Sequence, residues 1–254
     1  MKRIIHFFFL LPCFLIYGIG IAQELPDSTK KTHPYKNIIR YNISGALLFG
    51  LTDFVILGYE RTTGRHQSFS VNLGRITLPN VTNLDLDSFN IKKNQKRNGI
   101  NFSIDYRFYL PWENKHTIPH GLYIGPFYSY NGFRGKTEWS HKKDQGNTSL
   151  STDTKFNIHT VGFEMGYQFV LRKRLTLDVL VVGPGFGFYD LHAKISRHVD
   201  DETKKQLLKG IEELVTEKFP GMNLVIGDEE IETDGTLQKI TWGYRYLVHI
   251  GFRF

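Results

Sequence analysis

The chain has 254 residues, 32 Lys and Arg against 25 Asp and Glu, a formal charge of +7 and a single cysteine, Cys13. One thiol excludes a fold stapled by internal disulfides. The cations are scattered, without the basic stripe that a nucleic-acid surface needs, so no nucleic acid is expected as a partner.

The chain starts with Met1-Lys2-Arg3, then an apolar run from Ile4 to Ala22. Small residues at Gly20 and Ala22 suit cleavage before Gln23, so residues 1–22 read as a signal peptide. Cys13 sits mid-run behind Pro12, the wrong setting for lipidation. Residues 23–36 read as an N-terminal segment ahead of the fold.

From Ile39 onward the hydropathy alternates with the two-residue period of strands with unlike faces. Eight such stretches follow in order. The first is Ile39, Tyr41, Ile43, Leu47 and Phe49 against Arg40, Asn42, Ser44 and Ala46. The second sets Val55, Leu57 and Tyr59 against Ile56, Gly58 and Glu60; the third sets Phe69, Val71 and Leu73 against Ser70, Asn72 and Gly74. Ile100–Tyr109, Leu122–Asn131, Thr160–Phe169 and Leu175–Val182 repeat the pattern, and Ile240–Phe254 closes it. The phase slips twice, at Phe156 and Ile158 against Val161 and across Gly183-Pro184-Gly185, and a bulge or bend is expected at each. Connections alternate in length. Thr63–Gln67, Pro111–His120 and Arg172–Arg174 are short; Pro79–Lys96, Gly135–Asp153 and Arg197–Gly235 are long. The first link, Leu51-Thr52-Asp53, is short and breaks the rule. Ten strands remain open if the long connections carry an extra hairpin.

Volume decides which face points inward. An eight-stranded barrel has an interior just wide enough for side chains. One face is rich in Gly, Ser and Ala; the other carries Trp242 and many Tyr, Phe and Ile. The bulky face overfills a closed barrel, so it points out, and an apolar exterior is stable in lipid. Tyr59, Tyr106, Phe108, Tyr167, Phe169, Phe252 and Phe254 fall near one end of their strands, as an aromatic interface girdle does. The fold class is therefore all-β: an eight-stranded antiparallel up-and-down transmembrane barrel over residues 37–254.

The final "HIGFRF", with its terminal Phe254, resembles the C-terminal signature of bacterial outer-membrane β-barrels. "GLYIGPFYSYN" at Gly121–Asn131 and "ALLFGLTDFVILGYER" at Ala46–Arg61 are similar to small OmpA/OmpX-like barrels, especially the uncharacterised ones of Bacteroidota. The resemblance implies export to a Gram-negative outer membrane, a porin-like cell-envelope architecture and residues 23–36 in the periplasm. It also implies recognition of Tyr246, Val248, Ile250, Phe252 and Phe254 by the barrel-assembly machinery, and contact with membrane lipid and lipopolysaccharide.

The inward face carries Arg40, Glu60, Asp105, Arg107, Glu164, Asp178, Lys239, Arg245, His249 and Arg253. Charges of both signs in a narrow lumen must pair, since lost hydration is costly. A structural plug is one reading and a charged pore or ligand site the other; Glu164 with Arg245, and Asp105 with Arg107 or Arg40, are the expected pairs. After the seventh strand the period changes. Leu207, Leu208, Ile211, Leu214, Val215 and Phe219 recur at helical spacing between Asp200 and Gly221. This amphipathic helix caps the barrel mouth, lies on the lipid surface or docks a partner. Asp228–Glu230 and the residues around them are acidic. His198–Glu202 offers metal-ligand types but reads as solvated loop, and neither metal nor cofactor is expected. Small barrels include lipid A deacylases and palmitoyltransferases, yet His159, Thr160 and Glu164 lack the His-x-Ser signature with a following acid. The expectation is a structural or surface-interaction barrel without catalysis. A narrow solute channel and a lipid-modifying enzyme are the alternatives.

Overall fold

The computed structural model describes residues 35–49, 53–77, 89–113, 116–141, 149–195, 201–218 and 235–254, all within the unit Tyr35–Phe254. The signal peptide 1–22, the segment up to Pro34, Phe219 and the acidic stretch before Gly235 lie outside them. Eight strands run β1 Asn37–Asn42, β2 Phe54–Thr62, β3 Gln67–Ile76, β4 Phe89–Tyr109, β5 Gly121–His141, β6 Ser149–Leu171, β7 Leu175–Ile195 and β8 Thr236–Arg253. Each pairs antiparallel with its sequence neighbours, and β8 pairs with β1 to close the barrel. Asn37 and Phe254 exchange backbone hydrogen bonds of 3.2 and 2.9 Å, so both ends of the barrel segment meet at one rim. We call this the terminal rim and the opposite end the far rim.

Burial follows strand parity. On β2, Ile56, Gly58 and Glu60 are buried while Val55, Leu57 and Tyr59 are exposed; on β7, Thr176, Asp178 and Leu180 are buried. The bulky face is the outer one, with Phe163 69% and Trp242 71% exposed. A water-soluble barrel would bury these rings. Small inner residues make room for long ones: a Cβ on Gly58 would overlap the Asn72 amide and the Arg40 chain.

Three expectations need correction. The first strand does not reach Phe49. It ends at Asn42, and Ile43–Phe49 form a short helix, α1. The Asn42 carboxamide oxygen accepts from Gly45 N at 3.4 Å and from Ser44 Oγ at 2.7 Å, a helix cap that competes with the ladder. Phe54 lies where a Cβ on Gly45 would be. The connection after β1 thus spans 43–53 and is longer than the Leu51-Thr52-Asp53 link expected. Second, Phe156 and Ile158 mark no bulge: β5–β6 register is unbroken from Gly121↔Gln168 to Ser140↔Ser149. Both residues simply point inward, at a level where the inner face has become apolar. Third, two of the long connections are shorter than expected, because β4 begins within Pro79–Lys96 and β5 and β6 run on into Gly135–Asp153. The other slip is a true irregularity in β7. Its register shifts between Leu180 and Gly183 against β8, and again opposite Met165 and Gly166 of β6. Here Val181 and Val182 both face out, at 57% and 42% exposure.

Asp201–Lys218 form the predicted helix, α2, with Asp201 and Glu202 in its first turn, where the macrodipole favours acids. Leu207, Leu208 and Ile211 are buried against inward side chains of the far half: Phe133, Trp139, Leu150, Phe156, Leu191 and Leu237. The side chains of Leu214 and Val215 lie outside the described set. Of the three placements open for this helix, the structure adopts the one that fills the barrel mouth.

Candidate functional site

The lumen near the terminal rim holds an ionic cluster whose charges come from six strands. Arg40 on β1 and Arg107 on β4 occupy its centre, both buried. Arg40 Nε donates to Asn72 Oδ1 at 3.0 Å and Nη2 to Ser70 Oγ at 2.5 Å. Its guanidinium also meets Glu60, Asp105 and Asp178 at 3.4, 3.2 and 3.4 Å. Arg107 pairs with Asp105 at 2.7 Å, Asp178 at 2.9 Å, Glu164 at 3.5 Å and Glu60 at 3.6 Å, and lies 4.3 Å over the Tyr123 ring.

Neutral groups complete the coordination. Tyr123 Oη donates to Asp178 at 2.7 Å, Ser68 Oγ to Glu60 at 2.7 Å and Gln168 Nε2 to Glu60 at 3.1 Å. Tyr109 Oη lies 2.5 Å from Gln168 Oε1 and 3.0 Å from Glu60 Oε1. His249, buried on β8, places Nδ1 3.3 Å from Asp178. Such a cluster survives burial because its carboxylates are shared among several donors.

One layer farther up, the ionic contacts lengthen. Arg245 on β8 pairs with Glu164 at 3.5 Å and sits 4.9 Å over Phe127; its second contact, to Asp105, is 3.9 Å. Neither Glu164 oxygen nor either Arg245 Nη makes a direct hydrogen bond among the described side chains. Gly162, Gly183, Gly185 and Gly243 line this level. Beyond it the inner face becomes apolar and α2 fills it.

The structure thus gathers all seven charges of the sequence-derived network, Arg40, Glu60, Asp105, Arg107, Glu164, Asp178 and Arg245, into one cluster. It contains the contacts Glu164–Arg245, Asp105–Arg107 and Asp105–Arg40. Arg253 stands apart at the terminal rim and donates to the Tyr35 carbonyl at 3.3 Å. Lys239 sits on the far half of β8, opposite Tyr189. Sequence reasoning missed Ser70, Tyr109, Tyr123 and Gln168 as partners, although inward parity marked each of them. Among the described residues, no group of His, Cys, Asp and Glu has a metal-binding arrangement.

Tyr246, Val248, Ile250, Phe252 and Phe254 line the outer face of β8, four of them exposed. The terminal-rim aromatics also face out, with ring pairs Tyr106–Phe108 at 5.1 Å and Tyr167–Phe169 at 4.5 Å. Among the described residues, no helix is long and apolar enough to cross a membrane.

No family model matches the chain, and no curated protein does. A solved structure, a major outer membrane protein from Thermus thermophilus, is similar over 86% of this chain and 98% of its own, at 10% identity and a TM-score of 0.34.

Proposed function

We propose that this chain is an outer-membrane β-barrel of structural or surface-interaction type, sealed to solutes and without catalysis. One observation carries the reading: an apolar outer belt surrounds a lumen filled first by paired ions and then by a helix. Eight strands with Phe163 and Trp242 facing out need hydrocarbon around them. On β6, Phe169 to His159 climbs about 26 Å at ~3.4 Å per residue and a tilt near 40°, close to the apolar band of such barrels. In this reading the chain is threaded from the periplasm, so an even number of strands leaves the terminal rim there and α2 outside. Kinship with small OmpA/OmpX-like barrels and recognition of the β8 outer face during assembly belong to the same reading.

A narrow solute conduit is the second reading, favoured by the Glu164 and Arg245 polar atoms that make no direct hydrogen bond among the described side chains. Planar-bilayer recording separates the two. The wild-type protein is expected to show no unitary conductance. Steps in the wild type whose ion selectivity changes in Arg245→Gln would overturn the sealed reading.

A further inference from the structure

Above the apolar belt the outer surface changes in ordered rows. On β4–β8, Phe102, Tyr130, His159, Phe188 and Ile240 are cross-strand neighbours. This row is aromatic and interface-like: Tyr128 Oη lies 2.9 Å from His159 Nδ1, and the Tyr130 and His159 rings are 4.8 Å apart. The next row is polar and self-satisfied. Asn157 Nδ2 and Gln238 Nε2 donate to Asp190 at 3.2 and 2.9 Å, and His192 Nε2 meets the same carboxylate at 3.0 Å.

Then comes a cationic row with no such closure. Arg134 on β5 stands directly opposite Lys155 on β6, and Asn98 on β4 directly opposite Arg134. Arg75 on β3 donates to Asn98 Oδ1 at 2.9 Å, which fixes its guanidinium beside them. All are exposed. Like charges directly opposed on a sheet repel, yet no ion pair to Arg75, Arg134 or Lys155 occurs among the described residues. Asp190 is already occupied. Asp153, one row higher, lies between Lys136 and Lys194 and so is outnumbered. The row is one-sided: the far-rim ends of β2 and β8 carry Asp53, just before the strand, and Gln238.

Depth points to an anion that the described residues do not supply. Lys155 stands about 10 Å above His159 along the barrel, at head-group level. Its long stem can reach back toward the interface.

We propose that Arg75, Arg134 and Lys155 form a binding ridge for the phosphate groups of the outer-leaflet glycolipid, the lipid A part of lipopolysaccharide. The inference rests on the membrane reading above, which puts the far rim at the outer leaflet. The guanidiniums supply planar two-point donors for phosphate and Lys155 a mobile point charge. Spanning β3 to β6, the ridge is about 15 Å wide, enough to hold a two-phosphate sugar head group rather than one phosphate.

The test uses the full-length mature protein refolded in neutral detergent, with folding checked by the shift in gel mobility on boiling. Diphosphoryl lipid A and phosphatidylglycerol are titrated separately by native mass spectrometry. The triple variant Arg75→Gln, Arg134→Gln, Lys155→Gln is compared with Arg61→Gln, Arg65→Gln, Lys173→Gln, which removes the same charge at the terminal rim. The far-rim triple is expected to lose lipid A affinity by about 100-fold and the control to stay within about twofold. Equal loss in both, or phosphatidylglycerol bound as tightly as lipid A by the wild type, overturns the ridge. A folded far-rim triple that still binds lipid A overturns it alone. A mature chain that folds in water without detergent overturns the membrane reading as well.

Discussion

The two halves of this barrel are built inside out with respect to each other. Near the terminal rim, ions and hydrogen-bonding groups fill the lumen while Ile39, Leu57, Val161 and Phe163 point outward. Near the far rim, Trp139, Leu150, Phe156 and Leu191 point inward while Arg134, Lys155 and His192 point out. On β5 and β6 the inward parity runs unbroken from one half to the other; among the described residues β7 alone steps across, at Val181 and Val182, and its far half again turns apolar residues inward. What changes is the solvent that each face meets. The first half is ordered for hydrocarbon outside, the second for water outside, and the switch along β6 falls between His159 and Lys155. A soluble-protein core, completed by α2, thus stands on a membrane-type ring.

If the first half depends on mutual satisfaction of charge, removing one partner is the harshest test. Arg107→Met leaves Asp105 and Asp178 short of their shared guanidinium in a buried site. The expected loss is about 3–5 kcal/mol, read as a lower urea midpoint in vesicles. A midpoint equal to wild type would mean that the cluster is not a closed unit.

The outer faces are contrasted by adding charge. Phe163→Arg places a cation at the middle of the apolar belt, at an expected cost of about 2–4 kcal/mol. Thr236→Arg, at the far end of β8, stays within about 0.5 kcal/mol because its surroundings are wet. Equal costs at both positions would erase the boundary.

A smaller effect is expected from the plug. Leu207→Asp should release α2 without unfolding the ring, since the helix packs on the far-half core. Limited proteolysis should then cut within 201–218 while the boiling-dependent gel shift persists. Loss of that shift would show that helix and ring fold as one.

The smallest effect lies at the terminal rim. His120, half-buried in the turn before β5, accepts from Val170 N at 3.3 Å through Nδ1 and abuts Tyr167 and Phe169. Burial, then the neighbouring His116 and Arg253, lowers its pKa from 6.5 to about 4. The unfolded chain therefore takes up the proton first. Stability held above pH 6.5 is lost as pH falls from 6.5 toward 4, and no further below. His120→Gln should flatten the urea midpoint across that window; an unchanged slope would contradict it.

Much of this was legible in the sequence because strand parity is local. Alternation marked the eight strands, and parity marked the inward charges, which register then brought together. Two features depended on distant partners. Ile43–Phe49 is as good a strand as a helix by pattern, and the Asn42 cap with Phe54 packed over Gly45 decides it. The inward Phe156 and Ile158 looked like a slip because their covering helix comes much later in the chain. Tyr109 and Tyr123 share the inward parity of the charges, but only the register across β4, β5 and β7 shows that their hydroxyls meet Glu60 and Asp178.

The three tryptophans report directly on the central claim. Trp242 faces out at 71% exposure, Trp139 is buried in the lumen and Trp112 is 75% exposed in the turn after β4. Three single-tryptophan proteins, with the other two changed to Phe, are reconstituted in vesicles whose acyl chains carry bromine. The account predicts strong quenching of Trp242, and little of Trp139 or Trp112. Trp242 quenched by aqueous iodide instead, with no response to bromolipid, would contradict it.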